Sequence, residues 1–169
     1  MTKVINLFAG PGAGKSTTAA GLFYHMKHKD LKCELVTEYA KDLAYEVSKR
    51  LDSQVHISGE QAWRMERLLG RVDYIITDSP LVLGSLYAPF DYPQAYHDML
   101  ANLYSRYQNH NFFIRRVKPY QIYGRQQTED EAKLLDARVI DLLRSRKISY
   151  AEIKGDFGAP EAIMKALNI

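Results

Sequence analysis

The sequence predicts an α/β fold: one three-layer α/β/α domain built on a five-stranded parallel sheet. Three observations point there. Short apolar, β-branched runs alternate with longer stretches of helical period along the 169 residues, and strands separated by helices pair in parallel through right-handed crossovers. A glycine-rich turn follows directly on the first apolar run, where such sheets bind ligands, outside the carboxyl ends of their strands. The balance of 46% hydrophobic and 25% charged residues is that of a soluble globular chain long enough for one proper core.

Taken in order, residues 3–9 read as the first strand and 16–27 as a helix. Residues 33–38 form the second strand and 39–50 continue as helix. Ser58-Gly59-Glu60-Gln61 has the spacing of a capping box and predicts a helix through 69. Residues 74–78 are a third strand. Pro93 suits the first turn of a helix reaching about 108. Residues 112–117 are the fourth strand. Thr128-Glu129-Asp130-Glu131 repeats the capping-box pattern ahead of a helix to about 145. Residues 148–153 are the fifth strand. Pro160 opens a terminal helix, with Asp156 and Glu161 near the positive end of its dipole.

No repeat, low-complexity segment or linker divides the chain. No apolar run approaches the roughly 20 residues that cross a bilayer. The stretch Val4–Ala9 is too short for the apolar part of a secretory leader. The single cysteine, Cys33, cannot form an internal disulfide. A reducing, cytoplasmic setting and no membrane partner are therefore expected. Net charge is only +3, but residues 99–128 hold no acid and five cations: Arg106, Arg115, Arg116, Lys118 and Arg125. A local basic cluster suits phosphate or another polyanion as partner.

Ala9-Gly10-Pro11-Gly12-Ala13-Gly14-Lys15-Ser16 matches the P-loop pattern, with Ala9 where the pattern has its first glycine. Glycines at 10, 12 and 14 let successive amides point into one concavity, and the following helix adds its positive dipole end. Lys15 can reach the β- and γ-phosphates of ATP, and the Ser16 hydroxyl can hold Mg2+. The expected nucleotide-binding residues are Gly10, Pro11, Gly12, Ala13, Gly14, Lys15, Ser16 and Thr17. The alternative is a glycine turn that only caps a helix.

Two carboxylates end strands beside this turn. Asp78 follows Tyr74-Ile75-Ile76-Thr77, which has the look of a Walker B strand whose Asp holds Mg2+. Glu38 ends the second strand and suits a general base that takes a proton from an acceptor hydroxyl. Either could instead cap the helix that follows it, and residue type alone does not say which of the two is the base. After the fourth strand, Arg115 to Thr128 carries cations, Pro119 and Gly124, and reads as a lid over about 115–128. Arginines there offer fixed forks for transferring phosphoryl charge, and closure excludes water. Tyrosine supplies 12 of the 19 aromatic residues; Tyr39, Tyr87, Phe90, Tyr92, Tyr96, Tyr120 and Tyr123 flank the site. The five histidines show no zinc spacing.

These features together resemble the small P-loop kinases of the nucleoside and nucleotide kinase type: thymidylate kinases, the nicotinamide riboside kinase domain and compact phage kinases. The resemblance runs over the whole chain. It rests on the P-loop, Glu38-Tyr39-Ala40, Asp78-Ser79-Pro80, and Gly124-Arg125 in the basic loop. It implies ATP and Mg2+ as cofactors and a catalytic set of Lys15, Glu38, Asp78, Arg116 and Arg125. It also implies that Lys15 binds the γ-phosphate, Ser16 and Asp78 hold the metal, Glu38 the acceptor, and the two arginines the transferring phosphoryl group. It implies transfer of the γ-phosphoryl to a hydroxyl of a nucleoside-like acceptor. That acceptor is either a free nucleoside or nucleotide, or a 5-hydroxymethyl pyrimidine base in phage DNA, which would place the protein in the host cytoplasm. Homodimers are common in the group. The competing reading is a P-loop NTPase switch or regulatory nucleotide-binding module with water as the only acceptor; no guanine-reading Asn-Lys-x-Asp motif is present.

Overall fold

The first strand carries buried side chains from Val4 to Phe8 without a polar alternation, the signature of a strand covered on both faces. The computed structural model describes residues 2–117 and 128–169. Its strands are β1 (Lys3–Phe8), β2 (Cys33–Val36), β3 (Tyr74–Thr77), β4 (Gln108–Arg115) and β5 (Ala151–Lys154). All pair in parallel, in the order β2-β3-β1-β4-β5. The chain turns to one side of β1 for β2 and β3 and to the other for β4 and β5. The carboxyl end of β1 therefore opens onto the crevice where the winding reverses.

The helices are α1 (Lys15–His28), α2 (Tyr39–Tyr45), α3 (Gln54–Glu66), α4 (Gly84–Tyr87), α5 (Gln94–Ser105), α6 (Glu129–Ser145) and α7 (Ala159–Leu167). Alternation along β1 divides the core. Ile5, Leu7 and Ala9 meet Leu22 and Met26 of α1 and Ile163 and Met164 of α7. On the opposite face Val4 meets Ala62 and Met65 of α3. Further along that face Phe8 meets Tyr104 of α5 and Val139 and Leu143 of α6. Each fully buried aliphatic side chain contributes about 1.5–3 kcal/mol. Thr128 caps α6 through the reciprocal box with Glu131, as its spacing predicts.

Four expectations are corrected. The helix over 39–50 breaks after Tyr45. Val47 takes a left-handed φ of 53° there, Ser48 N–H closes onto the Leu43 carbonyl, and a 3-10 turn follows at Lys49–Asp52. A β-branched residue rarely adopts that conformation. Ser58 does not open α3: Ser53 does, accepting from His56 N–H at 3.3 Å, while Ser58 is buried against the Tyr96 hydroxyl at 2.8 Å. The fourth strand begins at Gln108, four residues early, because its polar start is satisfied inside the sheet: Asn6 donates to Asn109 and Asn111 at 2.8 and 3.1 Å. The fifth strand begins at Ala151 rather than 148. No helix among the described residues is long and apolar enough to cross a membrane.

Candidate active site

The turn after β1 curls because Gly12 and Gly14 take left-handed φ values of 77° and 103°, cheap for glycine alone. Gly10 is glycine for a different reason. A β-carbon there would stand 2.7 Å from the Ala132 carbonyl and 2.8 Å from Asp136 Oδ1 on α6. Ala9, in place of the motif's first glycine, is fully buried without disturbing the turn. α1 begins at Lys15 with no side-chain cap and no acid in its first turn. Its leading amides are thus not taken up by a capping side chain. Ser16 and Thr17 are exposed on that first turn. The turn at 155–158 packs on the loop's other side, against Ala13 and Gly14, and carries Phe157 outward, 95% exposed.

Lys15 is half-buried, and its Nζ donates to the Ala9 and Gly10 carbonyls at 2.8 and 3.1 Å. Burial draws its ammonium below the ordinary pKa, against the opposing pull of Glu38, Asp78 and Asp136. Those three carboxylates, one just past β2, one just past β3 and one on α6, therefore all act on one lysine. Glu38 occupies the N-cap position of α2, but its side chain does not cap the helix. Burial pushes its carboxyl above the usual carboxylate range; Lys15 opposes this and Asp78 reinforces it. Asp78 is 4% exposed, and its Oδ1 has no hydrogen-bond partner among the described residues. Neither acid spends its charge on capping, so that alternative fails for both.

A buried carboxylate oxygen with no hydrogen-bond partner among the described residues, as at Asp78, fits a hard cation, which takes oxygen donors and few of them from protein. Asp78 Oδ1 and the exposed Ser16 hydroxyl are both oxygen donors of the kind Mg2+ takes.

Arg116, just past β4, meets Asp136 at 3.0 Å and donates to the Pro11 carbonyl at 2.7 Å. Arg125 lies outside the described residues, as does most of the segment read as a lid. On the opposite wall Gln61 of α3 accepts from Tyr39 N–H at 3.0 Å and donates to the Thr37 carbonyl at 3.3 Å. This fixes the turn that presents Glu38. The Tyr39 hydroxyl pairs with His56 at 2.9 Å, and the Arg64 guanidinium covers the Tyr39 ring at 4.5 Å. Tyr87 on α4 is 43% exposed, and desolvation of its hydroxyl, with the Glu38 charge second, pushes its pKa up to about 12. Asp136 and His56 had no motif to announce them, and Gln61, read as part of a capping box, instead bonds the turn at Thr37 and Tyr39.

A family model described as an AAA domain matches residues 4–159. The chain belongs to that family. No curated protein matches it. Among solved structures, the AAA domain described here superposes on NadR protein in complex with NR at a TM-score of 0.71 and 13% identity, over 99% of this chain and 52% of that one. It superposes on deoxyadenosine kinase from M. mycoides with bound dATP at 0.62 and 17%, over the full length of both. The chain thus spans about half of NadR. The fold is that of the small P-loop kinases, as the resemblance implies.

Proposed function

We propose that this protein is a Mg-ATP-dependent kinase that moves the γ-phosphoryl group to a hydroxyl of a nucleoside-like acceptor. The observation that carries the reading is the convergence of Glu38 and Asp78, neither used as a cap, on Lys15 at an uncapped helix N-terminus. The AAA-domain match and the likeness to two nucleoside-handling proteins support it.

In this reading the amides of 12–16 and the dipole of α1 bind the phosphate tail. Lys15 leaves the Ala9 and Gly10 carbonyls and turns its charge to the β- and γ-phosphates. Ser16 and Asp78 hold Mg2+, whose part is to draw charge from the phosphoryl oxygens. Asp78, buried and unpaired, suits metal binding. Glu38, with its raised proton affinity and place at the crevice wall, suits the base that accepts the acceptor's hydroxyl proton. Tyr39 and Tyr87 give the acceptor a wall that packs and hydrogen-bonds. Phe157 offers the ATP base an apolar face. Catalysis is then positioning and electrostatic stabilisation.

The test is incubation with labelled ATP and Mg2+ against nucleosides, mononucleotides and duplex DNA containing 5-hydroxymethyluracil. Label on a nucleoside, nucleotide or DNA base is the expected result. Salt-sensitive label on DNA selects the polymer acceptor. Label released only as inorganic phosphate, whatever acceptor is present, overturns the kinase reading in favour of an NTPase switch.

A further inference from the structure

We propose that Asp136 is a positioning residue for phosphoryl transfer, holding Arg116 and the entry of the phosphate loop in one fixed geometry. The assignment rests on the kinase reading above. Asp136 lies midway along α6, 126 positions from Gly10, yet its two oxygens bridge the site. Oδ1 accepts from Gly10 N–H at 2.6 Å, and Oδ2 accepts from Arg116 Nε at 3.1 Å. Arg116 also donates to the Pro11 carbonyl at 2.7 Å. The two side chains are only 10% and 17% exposed. Two successive residues, Gly10 and Pro11, are thereby held from outside the loop, the first by Asp136 and the second by Arg116.

Electrostatics argue that this acid has a purpose. A carboxylate that Lys15 and Tyr87 both sense repels a polyphosphate, and a largely buried ion pair adds little net stability over apolar packing. What the carboxylate supplies is geometry. It orients a planar guanidinium in one plane against the loop, and it takes up a loop amide that faces α6 rather than the concavity. α6 seats directly on Gly10, with no room for a β-carbon between them. Arg116 would otherwise have to order a long, rotamer-rich side chain in each turnover. Misplacing such a group by about 1 Å can lower a rate about 10²-fold.

The experiment measures kcat and KM for Mg-ATP, with the melting temperature, in Asp136→Asn, Asp136→Ala, Arg116→Gln and Asp136→Asn/Arg116→Gln. Asparagine keeps an acceptor oxygen for the Gly10 amide and loses the charge that orients Arg116. The expected result is a kcat about 10–100-fold lower with KM within about threefold. The double variant should be no slower than Arg116→Gln alone. Asp136→Ala, which frees the loop as well, should also raise KM. Wild-type kcat in Asp136→Asn, or losses that multiply in the double variant, overturns the assignment and leaves the kinase reading standing. If Asp136→Asn does not fold, Arg116→Gln decides instead, and wild-type kcat there overturns it. A wild-type protein that transfers no phosphoryl group overturns both.

Discussion

On the phosphate side of the crevice the polar groups are paired within the chain: Lys15 with two loop carbonyls, the Gly10 amide with Asp136, and Arg116 with Asp136 and Pro11. On the acceptor side Glu38 and Asp78 bring carboxylates to the same lysine without capping their helices, and Asp78 Oδ1 has no partner among the described residues. The difference separates two tasks. A cradle for phosphate must have its shape before the ligand arrives, so backbone geometry and internal bonds set it. A carboxylate that is to take a proton or a metal must keep its lone pairs uncommitted, at a cost in desolvation.

The comparison breaks most readily at Glu38. Glu38→Gln should lower kcat by about 10²–10⁴. In wild type, activity should rise with pH through a pKa above the ordinary carboxylate value, since the base works deprotonated and burial raises its proton affinity; the Gln variant should lose that limb. The same raised pKa means the folded state binds this proton more tightly than the unfolded chain. Wild-type stability should therefore fall as pH climbs from the ordinary Glu value through the raised one, and Glu38→Gln should melt higher than wild type above that window. Thermal melts over a pH series check the sign.

Asp78→Asn should raise the Mg2+ concentration for half-maximal activity at least about tenfold. Its melting temperature should change little, because Asp78 Oδ1 has no hydrogen-bond partner among the described residues to lose. A drop in melting temperature with Mg2+ dependence unchanged would make Asp78 structural and erase the contrast between the two sides.

Gly10→Ala probes the paired side and should act through stability first. Its methyl meets the Ala132 carbonyl and Asp136, an overpacking that costs about 1–3 kcal/mol in a denaturant titration. Unchanged stability would mean that α6 is not seated on the loop in solution.

The phosphate loop and the two acids after the strands were legible in sequence. Gly12, Gly14, Lys15 and Ser16 are contiguous and obey backbone rules that hold in any context, and Asp78 and Glu38 follow from strand ends. Asp136 was invisible because its partners lie 126 and 20 positions away. The two serines of α3 show where local rules stop. Ser58 has the spacing of a capping box and Ser53 does not; the cap fell to Ser53 because Ser58 and Gln61 are drawn inward, one to Tyr96 and the other to the turn at Tyr39. The fourth strand began earlier than its apolar run because Asn109 and Asn111 pair with Asn6 across the sheet, a bond that no local pattern records.

Calorimetric titration of Mg-ATP into wild type and Lys15→Ala tests the central claim most directly. Saturable binding at one site in wild type, weakened about 10–100-fold in the variant as a charged hydrogen bond is lost, is the predicted result. Equal affinity in both proteins, or no binding to wild type, would contradict it.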